Sequence, residues 1–268
     1  MKLTPSVLNL DFTETETKIT HFINKYVSNS QAEGVVLGLS GGVDSATVAA
    51  LCSKAVGSKN ISALLLPEKE TKKQKDINDA KTIAKQFNIE TQTIDITQAL
   101  ESIYGTIPIY DKKNQICKGN IKARTRMIIL YYYANKLNKI VCGGSDKSET
   151  LMGYFTKWGD GAADLSPIKD LYKTQVRKLA INLGIPKTIA LKPSTPALWP
   201  NQTAEEELGI KYETLDLILY GLEKFMPTNE IANQLNIEQN IVKAIKKRLI
   251  HNEHKRQMPI TPKLSLEP

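Results

Sequence analysis

The sequence predicts an α/β protein built on a doubly wound parallel sheet, with further helices in its C-terminal part. Three observations predict this fold. Short β-branched apolar runs alternate with longer amphipathic segments, a glycine-rich turn follows the first run, and 41% hydrophobic with 24% charged residues is typical of a globular protein. Such alternation implies helices on both faces of the sheet, with ligands beyond the carboxyl ends of the strands.

The first half of the chain carries the alternation. An amphipathic leader helix is predicted around Glu14–Ser28, and the first strand over Val35–Leu39. A helix, a strand, a helix and a strand follow, over Asp44–Ala55, Ile61–Leu66, Thr71–Phe87 and Glu90–Ile96. The order after the leader is therefore β-α-β-α-β.

The middle of the chain is less regular. Ser102–Cys117 contains turn formers and charges without clear periodicity, which predicts a surface loop. A long helix from about Asn120 to Leu137 and a short strand over Lys139–Cys142 follow. Thr156–Pro167 is rich in Gly, Asp and Ala, and Lys192–Glu205 is rich in Pro and polar residues, so both are candidate lids.

The C-terminal part, Tyr212–Arg256, predicts three short helices broken near Pro227 and Asn236. At 268 residues the chain suits one domain. We divide it into a leader (1–30), an α/β nucleotide-binding core (31–190) and a loop with C-terminal helices (191–268).

Composition narrows the function classes. The N-terminal residues lack the apolar core of a signal peptide, no apolar run approaches the roughly 18 residues of a membrane helix, and three dispersed cysteines fit neither a disulfide framework nor a zinc site. We therefore expect a cytoplasmic protein. The net charge of +8 suits a nucleic-acid surface, a pocket for a polyanionic small molecule or merely a basic surface.

The strongest local motif lies between the first predicted strand and its helix, and we call it the phosphate loop. Its glycines allow close backbone approach, its serines donate hydrogen bonds, and the following helix offers free N–H groups, which together form an anion cradle. The alternative is a tight turn whose Ser or Asp caps the helix. Neither GxxxxGK[ST] nor GxGxxG is present. The loop consists of Gly38, Leu39, Ser40, Gly41, Gly42, Val43, Asp44 and Ser45.

Asp44 adds a second signal to this loop. A carboxylate beside bound phosphate is repelled unless a divalent cation lies between them, so Asp44 suggests Mg²⁺. Helix capping is the alternative role.

A strand that ends in Ser-Gly-Gly-x-Asp-Ser resembles the ATP pyrophosphatase superfamily, whose Rossmann-like domains are of the adenine nucleotide alpha hydrolase type and cleave ATP to AMP and pyrophosphate. NAD, GMP and asparagine synthetases and tRNA-modifying adenylating enzymes share this loop. The resemblance implies ATP binding by Gly38–Ser45, but it leaves the second substrate open.

Two further segments resemble the NAD synthetase family. Lys118–Met127 resembles the family's KGNxKARxRM segment, and Ser148–Asp164 its SE…GYFTKxGDGxxD stretch. By the first match Arg124 binds deamido-NAD. On a helix, Lys122 and Arg126 share a face from which Arg124 is turned by about 200°, so the three cations cannot all serve one ligand.

The second match implies that Glu149 is a Mg²⁺ ligand beside Asp44, and that Lys157 and Asp164 bind deamido-NAD. Outside these segments the resemblance implies ATP contacts for Lys173 and Thr195. Gly144 stands where many relatives carry a threonine, so only its backbone is a candidate for ATP. The last match implies deamido-NAD contacts for His254 and Lys255.

The resemblance implies an ATP- and Mg²⁺-dependent ligase that amidates deamido-NAD to NAD with free ammonia, through an acyl-adenylate, with release of AMP and pyrophosphate. No covalent or acid–base catalytic residue is assigned. It also implies a homodimer, with Met127, Ile128 and Tyr131 as a contact stripe or, equally, as core, and neither nucleic acid nor a membrane as partner.

Two rival hypotheses remain at this level. A tRNA-modifying adenylating enzyme would share the loop and explain the positive charge, but leaves the segments at 118–127 and 148–164 unexplained. A noncatalytic module that senses ATP leaves the two acids suited to Mg²⁺ without a purpose.

Overall fold

Four strands form a parallel sheet in the part of the chain that the computed structural model describes, which is residues 2–262 and 264. They are β1 (Val35–Gly38), β2 (Ile61–Leu65), β3 (Thr91–Thr93) and β4 (Ile140–Val141). Their order is β3-β2-β1-β4, and all neighbours are parallel. The chain winds outwards from β1 to β3 and then crosses to the other side of β1. The predicted doubly wound sheet is confirmed.

Helices make up most of the remaining structure. Short 3-10 helices lie at Pro5–Leu8 and Ser58–Asn60. The α-helices are α1 (Phe12–Asn29), α2 (Val43–Val56), α3 (Gln74–Gln86), α4 (Thr97–Thr106), α5 (Gln115–Lys136), α6 (Lys147–Met152), α7 (Lys173–Asn182), α8 (Lys187–Ala190), α9 (Ala204–Leu208), α10 (Tyr212–Glu223), α11 (Thr228–Leu235), α12 (Gln239–His251) and α13 (Glu253–Arg256).

The sheet is buried on both faces because alternate side chains of β1 enter different cores. Val35 and Leu37 pack with α1, α2, α3 and α7, whereas Val36 packs with α4 and α5 on the opposite face. A strand that is apolar on both sides is what a period of two predicts for a parallel sheet between helices. The winding leaves the carboxyl ends of β1 and β4 free for a ligand site.

A third apolar cluster belongs to the C-terminal helices. It joins α10, α11 and α12, and it also takes in Leu3 and Leu8 from the start of the chain. The N-terminal residues are thereby held against the C-terminal helices. The division into leader, core and C-terminal part stays a prediction, and residues 1, 263 and 265–268 of it lie outside the described residues.

The predicted surface loop Ser102–Cys117 is wrong in its extent. Its first residues belong to α4 and its last to α5, which begins five residues before the predicted start at Asn120. The Asn114 side chain accepts a hydrogen bond from the Cys117 N–H at 3.0 Å and so caps α5. The KGNxKARxRM match consequently lies inside the helix rather than at its opening.

Other boundaries differ less. The predicted strand Glu90–Ile96 shortens to the three residues of β3, while α6 and α7 had not been predicted. The two C-terminal breaks are confirmed. Pro227 precedes the first residue of α11, and Asn236 ends that helix in the left-handed conformation at φ 53°. Among the described residues, no helix combines the length and the apolar character needed to cross a bilayer.

Candidate active site

A cavity of about 630 Å³ opens beyond the carboxyl ends of β1 and β4. Its walls come from the phosphate loop, from one face of α5, from the 153–162 segment and from the 192–199 loop. This is the position at which the reversal of strand order leaves a crevice in doubly wound sheets. The cavity is therefore the candidate active site.

The phosphate loop forms one wall with its hydroxyls turned toward each other. Ser45 Oγ lies 3.1 Å from Ser40 Oγ, accepts the Ser40 N–H at 3.2 Å and donates to the Gly42 carbonyl at 3.1 Å. Gly41 has φ +79°, and a Cβ there would lie 2.2 Å from the Asp76 carbonyl oxygen, so only glycine fits. The loop is thus packed directly on the backbone of α3.

The first residues of α2 have no side-chain cap. Gly42 occupies the N-cap position, and within the described part of the chain no side chain caps the first turn. The alternative reading, in which Ser or Asp caps this helix, is therefore wrong for Asp44. Uncapped N–H groups and the positive end of the helix dipole face the cavity, which is the arrangement that binds phosphate.

The Asp44 carboxylate instead joins a buried ion cluster around Lys173. The fully buried Lys173 Nζ lies 2.7 Å from Asp44 Oδ2, 2.7 Å from Asp146 Oδ2 and 2.8 Å from Glu149 Oε1. Burial by itself lowers the pKa of Lys173, but the three carboxylates outweigh it and raise that pKa well above its usual value. The lysine is held firmly as a cation.

The lysine does not neutralise the ionised cluster, because three carboxylates and one ammonium together carry a net charge of −2. Burial raises the pKa of both Asp146 and Glu149, and the neighbouring carboxylates add to this rise, whereas the charge of Lys173 opposes it. Carboxylate oxygens of the three acids lie within 4.8 Å of one another, and the buried Asp44 Oδ1 has no hydrogen-bond partner among the residues that the structure describes. A hard divalent cation with oxygen ligands fits both the charge and this free oxygen.

Asp146 is the member of this cluster that the sequence analysis missed. Its Oδ1 accepts the Glu149 N–H at 2.8 Å and caps α6, while its Oδ2 faces Lys173. The signal that could have found it is an Asp three residues before a Glu at a helix start, the spacing of a capping box. Asp146 therefore fixes the backbone of Glu149 and shares its cation.

The ATP residues predicted by resemblance converge on the cavity. Gly144 and Thr195 both line it, together with all members of the phosphate loop except Gly41. A Cβ on Gly144 would lie 3.8 Å from the Ser45 nitrogen, which is ordinary van der Waals contact, so glycine is not required here by space. Lys173 lies beneath this wall, fully buried.

The residues predicted to bind deamido-NAD divide into two groups. Lys255 lines the cavity, whereas Arg124, Lys157, Asp164 and His254 are not among the described residues that line it. Arg124 Nη2 donates to the Lys157 carbonyl at 3.2 Å, and Lys157 Nζ donates to the His254 carbonyl at 2.6 Å. Arg124, Lys157 and His254 are thereby joined into one group, which we call the outer rim.

Asp164 links α5 to the sheet. Its Oδ1 accepts a hydrogen bond from the Tyr131 hydroxyl at 3.2 Å, and its Oδ2 accepts the Val141 N–H at 2.7 Å. Both bonds position the start of the cavity's floor at β4.

The C-terminal helices hold the end of α6 through its carbonyl groups. Arg248 and Asn252 both donate to the Met152 carbonyl at 3.1 Å, and Arg256 donates to that of Leu151 at 2.9 Å. Lys255 Nζ donates to the carbonyls of Gly153 and Phe155. The last carbonyls of a helix lack partners within it, so residues 248–256 cap α6, and we call them the C-terminal clamp.

Lys122, Arg124 and Arg126 of α5 have different partners, in agreement with the prediction that they cannot all serve one ligand. Lys122 Nζ is buried and lies 2.8 Å from Glu68 Oε1 and 2.6 Å from Glu70 Oε2, and it donates to the Leu198 carbonyl at 2.8 Å. This lysine is structural, because it ties α5 to the 192–199 loop.

Arg126, on the same face as Lys122, lines the cavity and donates from Nε to the Leu66 carbonyl at 3.1 Å. No role for Arg126 is predicted from the sequence. The helical spacing places Arg126 one turn after Lys122, but no sequence pattern indicates its contact with Leu66.

The chain matches the NAD synthase family over residues 15–259. An NH₃-dependent NAD⁺ synthetase from Methanocaldococcus jannaschii is 47% identical over 255 residues, which are 94% of this chain and 97% of that protein. Among solved structures, the NMN synthetase from Francisella tularensis is similar with a TM-score of 0.83 and 34% identity, covering 96% of this chain and 100% of that one. The NH₃-dependent NAD synthetase from Campylobacter jejuni has a TM-score of 0.79 at 32% identity, over 95% and 100% of the two chains. On these matches the chain belongs to the NAD synthase family.

Proposed function

We propose that this protein is an ammonia-dependent NAD synthetase, a ligase that uses ATP to convert the carboxylate of deamido-NAD into the carboxamide of NAD. The observation that carries the proposal is the meeting, at one cavity, of an uncapped helix N-terminus with the cluster of Asp44, Asp146, Glu149 and Lys173. An ATP-dependent amidation needs both a polyphosphate cradle and neutralisation of developing charge. The NAD synthetases among the relatives support this choice.

The reaction has two balanced steps. A carboxylate oxygen of deamido-NAD attacks the α-phosphorus of ATP, the bond from that phosphorus to the α,β-bridging oxygen breaks, and pyrophosphate leaves, which gives an acyl-adenylate. Ammonia then attacks the acyl carbon, AMP leaves, and one proton is released to give NAD. Neither step requires a covalent bond to the protein.

The chain contributes placement and charge. Ser40, Ser45 and the first N–H groups of α2 hold the departing pyrophosphate. Lys173 offsets negative charge at the phosphates while it stays anchored by its three carboxylates. Gly144 and Thr195 contact the nucleotide from the cavity wall.

Asp44, Asp146 and Glu149 would hold Mg²⁺. When bound, the ion neutralises phosphate oxygens and the two negative charges that Lys173 leaves unbalanced.

Deamido-NAD is assigned to the outer rim, with Arg124, Lys157 and His254, and to Asp164 and Lys255. Since Lys255 is the member of this set that lines the cavity, we place the reacting end of the substrate beside it and the remainder of the dinucleotide over the rim. The two phosphates of the dinucleotide make use of the positive charge of this region.

We propose a homodimer that closes over this rim. The predicted stripe of Met127, Ile128 and Tyr131 is wrong as a single surface, because Met127 lines the cavity. Ile128 and Tyr132 of α5 are 58% and 65% exposed, and Phe22 of α1 is 46% exposed. Exposed apolar side chains of this size suit contact with a second copy. Light scattering of wild type and of Ile128→Asp tests this, and a wild-type monomer would refute it.

A second substrate deserves the same test, because the similar structure with the TM-score of 0.83 is an NMN synthetase. An enzyme that makes NMN by amidation would start from the corresponding acid mononucleotide. That acid is the nicotinic acid half of deamido-NAD. The same cavity chemistry would amidate either acid. The two candidates differ in size, because only the dinucleotide would extend over the outer rim.

The deciding experiment incubates purified protein with ATP, Mg²⁺, ammonium and either deamido-NAD or the acid mononucleotide, omitting each component in turn. Equal amounts of NAD, AMP and pyrophosphate from deamido-NAD support the proposal. Higher kcat/KM for the mononucleotide selects the second candidate. ATP cleavage with neither acid amidated refutes both.

A cytoplasmic location and the absence of nucleic-acid binding remain predictions from the sequence. Cell fractionation checks the first. Binding of tRNA over a range of salt concentrations checks the second, since phosphate-driven binding weakens steeply as salt rises.

A further inference from the structure

We propose that Asp216, in the C-terminal helical part, is a positioning residue that fixes both Lys173 and the acidic helix α6 for the adenylation step. The proposal rests on the function proposed above. Asp216 lies in α10, within the apolar run Leu215–Leu219, and its side chain is fully buried.

The Asp216 carboxylate receives hydrogen bonds from two different elements. Its Oδ1 accepts the Ser148 hydroxyl of α6 at 2.5 Å, and its Oδ2 accepts the Thr174 N–H of α7 at 2.8 Å. Ser148 Oγ in turn accepts the Lys173 N–H at 3.0 Å. One carboxylate thereby connects α6, α7 and α10.

These bonds end at the residues that flank the ion cluster. Ser148 stands between Asp146 and Glu149, and Thr174 directly follows Lys173. Asp216 therefore constrains the backbone on both sides of the cluster while it touches neither the cavity nor the cation ligands. A displacement of α7 by a fraction of an ångström would move Lys173 Nζ among its three carboxylates.

The location explains why an acid is kept in an apolar helix face. The first N–H groups of α7 lack partners within the helix, and the positive end of its dipole favours a negative group. Asparagine has the same shape but offers one acceptor oxygen, so its amide would face either the Thr174 N–H or the Ser148 hydroxyl. The buried Ser148 hydroxyl accepts the Lys173 N–H, and its own proton needs an acceptor, which Asp216 provides.

The test compares Asp216→Asn with Glu213→Gln, a control one turn earlier in α10 whose partner is Arg177 on the outside of the site. We expect Asp216→Asn to lower kcat about 10- to 100-fold and to weaken Mn²⁺ binding in the presence of α,β-methylene-ATP by a similar factor. The KM for deamido-NAD should stay within about twofold, because the rim is untouched. Calorimetric Mn²⁺ titration supplies a readout that does not depend on turnover.

Ser148→Ala is the second variant, since it removes the relay but leaves the buried carboxylate in place. It should reproduce the loss of Mn²⁺ affinity with native circular dichroism. Wild-type Mn²⁺ affinity and kcat in a folded Asp216→Asn, or in Ser148→Ala where Asp216→Asn does not fold, would overturn the proposal. If wild type makes no NAD, the function fails, whereas the metal titrations still decide the role of Asp216.

Discussion

Lys122 and Lys173 are both buried and both surrounded by carboxylates, yet the charges around them differ. Lys122 and its neighbour Lys118 face Glu68 and Glu70, so two cations meet two anions. Lys173 meets three anions alone. The first cluster closes a structural joint between α5 and the 192–199 loop, and the second leaves a charge of −2 facing a cavity.

The pKa values of the acids in the two clusters shift in opposite directions. Burial opposes the ionisation of Glu68 and Glu70, but hydrogen bonds from the lysines outweigh it and lower the pKa of both acids. Around Lys173, burial and mutual repulsion prevail and raise the pKa of Asp146 and Glu149. The charges around Lys122 balance within the folded protein itself. The excess negative charge around Lys173 instead favours the binding of a cation.

The largest effect is expected for Asp44→Ala. Removing a carboxylate from the unbalanced cluster should lower turnover by about 10³-fold or more, because the cation and the phosphates lose a shared ligand. The unfolding temperature should not fall, since repulsion among the acids decreases. Turnover and thermal unfolding measure the two effects, with Asp170→Ala, whose side chain is 96% exposed, as the control. Near-normal turnover would contradict the role of Asp44.

Breaking the balanced cluster should act on stability instead. Lys122→Met leaves Glu68 buried without its cation, so we expect the free energy of unfolding to fall by about 3–5 kcal/mol. Urea denaturation measures it. Lys118→Met, one turn earlier and paired with the partly exposed Glu70, should cost less than about 1 kcal/mol. Equal losses in the two variants would show that burial does not distinguish these lysines.

Asp216 sharpens the comparison as a buried acid whose hydrogen-bond donors are uncharged. Burial raises its pKa from 3.8 to about 6, although bonds from Ser148 and Thr174 oppose this, and the charge of Asp146 adds to it. Between about pH 4 and pH 6 the native protein binds more protons at Asp216 than the unfolded chain does. Its contribution to stability is thus full below pH 4 and is lost as the pH rises through 6.

We therefore expect the free energy of unfolding of wild type to fall relative to Asp216→Asn by roughly 3 kcal/mol between pH 4 and pH 7. Urea denaturation of both proteins across this range measures the difference, in which the titrations of Asp146 and Glu149 cancel. A difference independent of pH would contradict a raised pKa.

The smallest effect is expected for Asp146→Asn. The amide oxygen can still accept the Glu149 N–H, so the cap on α6 remains while one negative charge is lost. Mn²⁺ affinity should weaken about tenfold with unchanged unfolding temperature. Asp146→Ala, which also removes the cap, should lower that temperature. Identical behaviour of both variants would argue against separate roles for the two oxygens.

Much of the fold was predictable because its signals are local. The apolar runs of β1 and β2, the glycine turn, and the breaks at Pro227 and Asn236 depend on neighbours within a few residues. Within the site, the phosphate loop, Gly144 and Thr195 reach the predicted cavity. The meeting of Asp44 with Lys173 joins residues 129 positions apart, and no periodicity encodes that distance.

The residues that could not be predicted depend on contacts that are distant in sequence. Asp146 and Asp216 act through contacts across elements, and Asp216 carries as its local sign a lone acid in an apolar helical run. The loop that was predicted over Ser102–Cys117 failed because α4 is a short helix stabilised by packing of Leu100 in the core rather than by periodicity.

The C-terminal clamp also sets an order on the biogenesis of the enzyme. Its hydrogen bonds to the end of α6 span about a hundred positions of sequence, from Arg248 to Met152 and from Arg256 to Leu151. A ribosome that has already released the phosphate loop, Glu149 and Lys173 must still translate through residue 256 before the carbonyls of α6 find their partners. The nascent chain consequently acquires its phosphate loop early, and it acquires the part of the cavity wall that the C-terminal clamp supplies only after residue 256 has been translated.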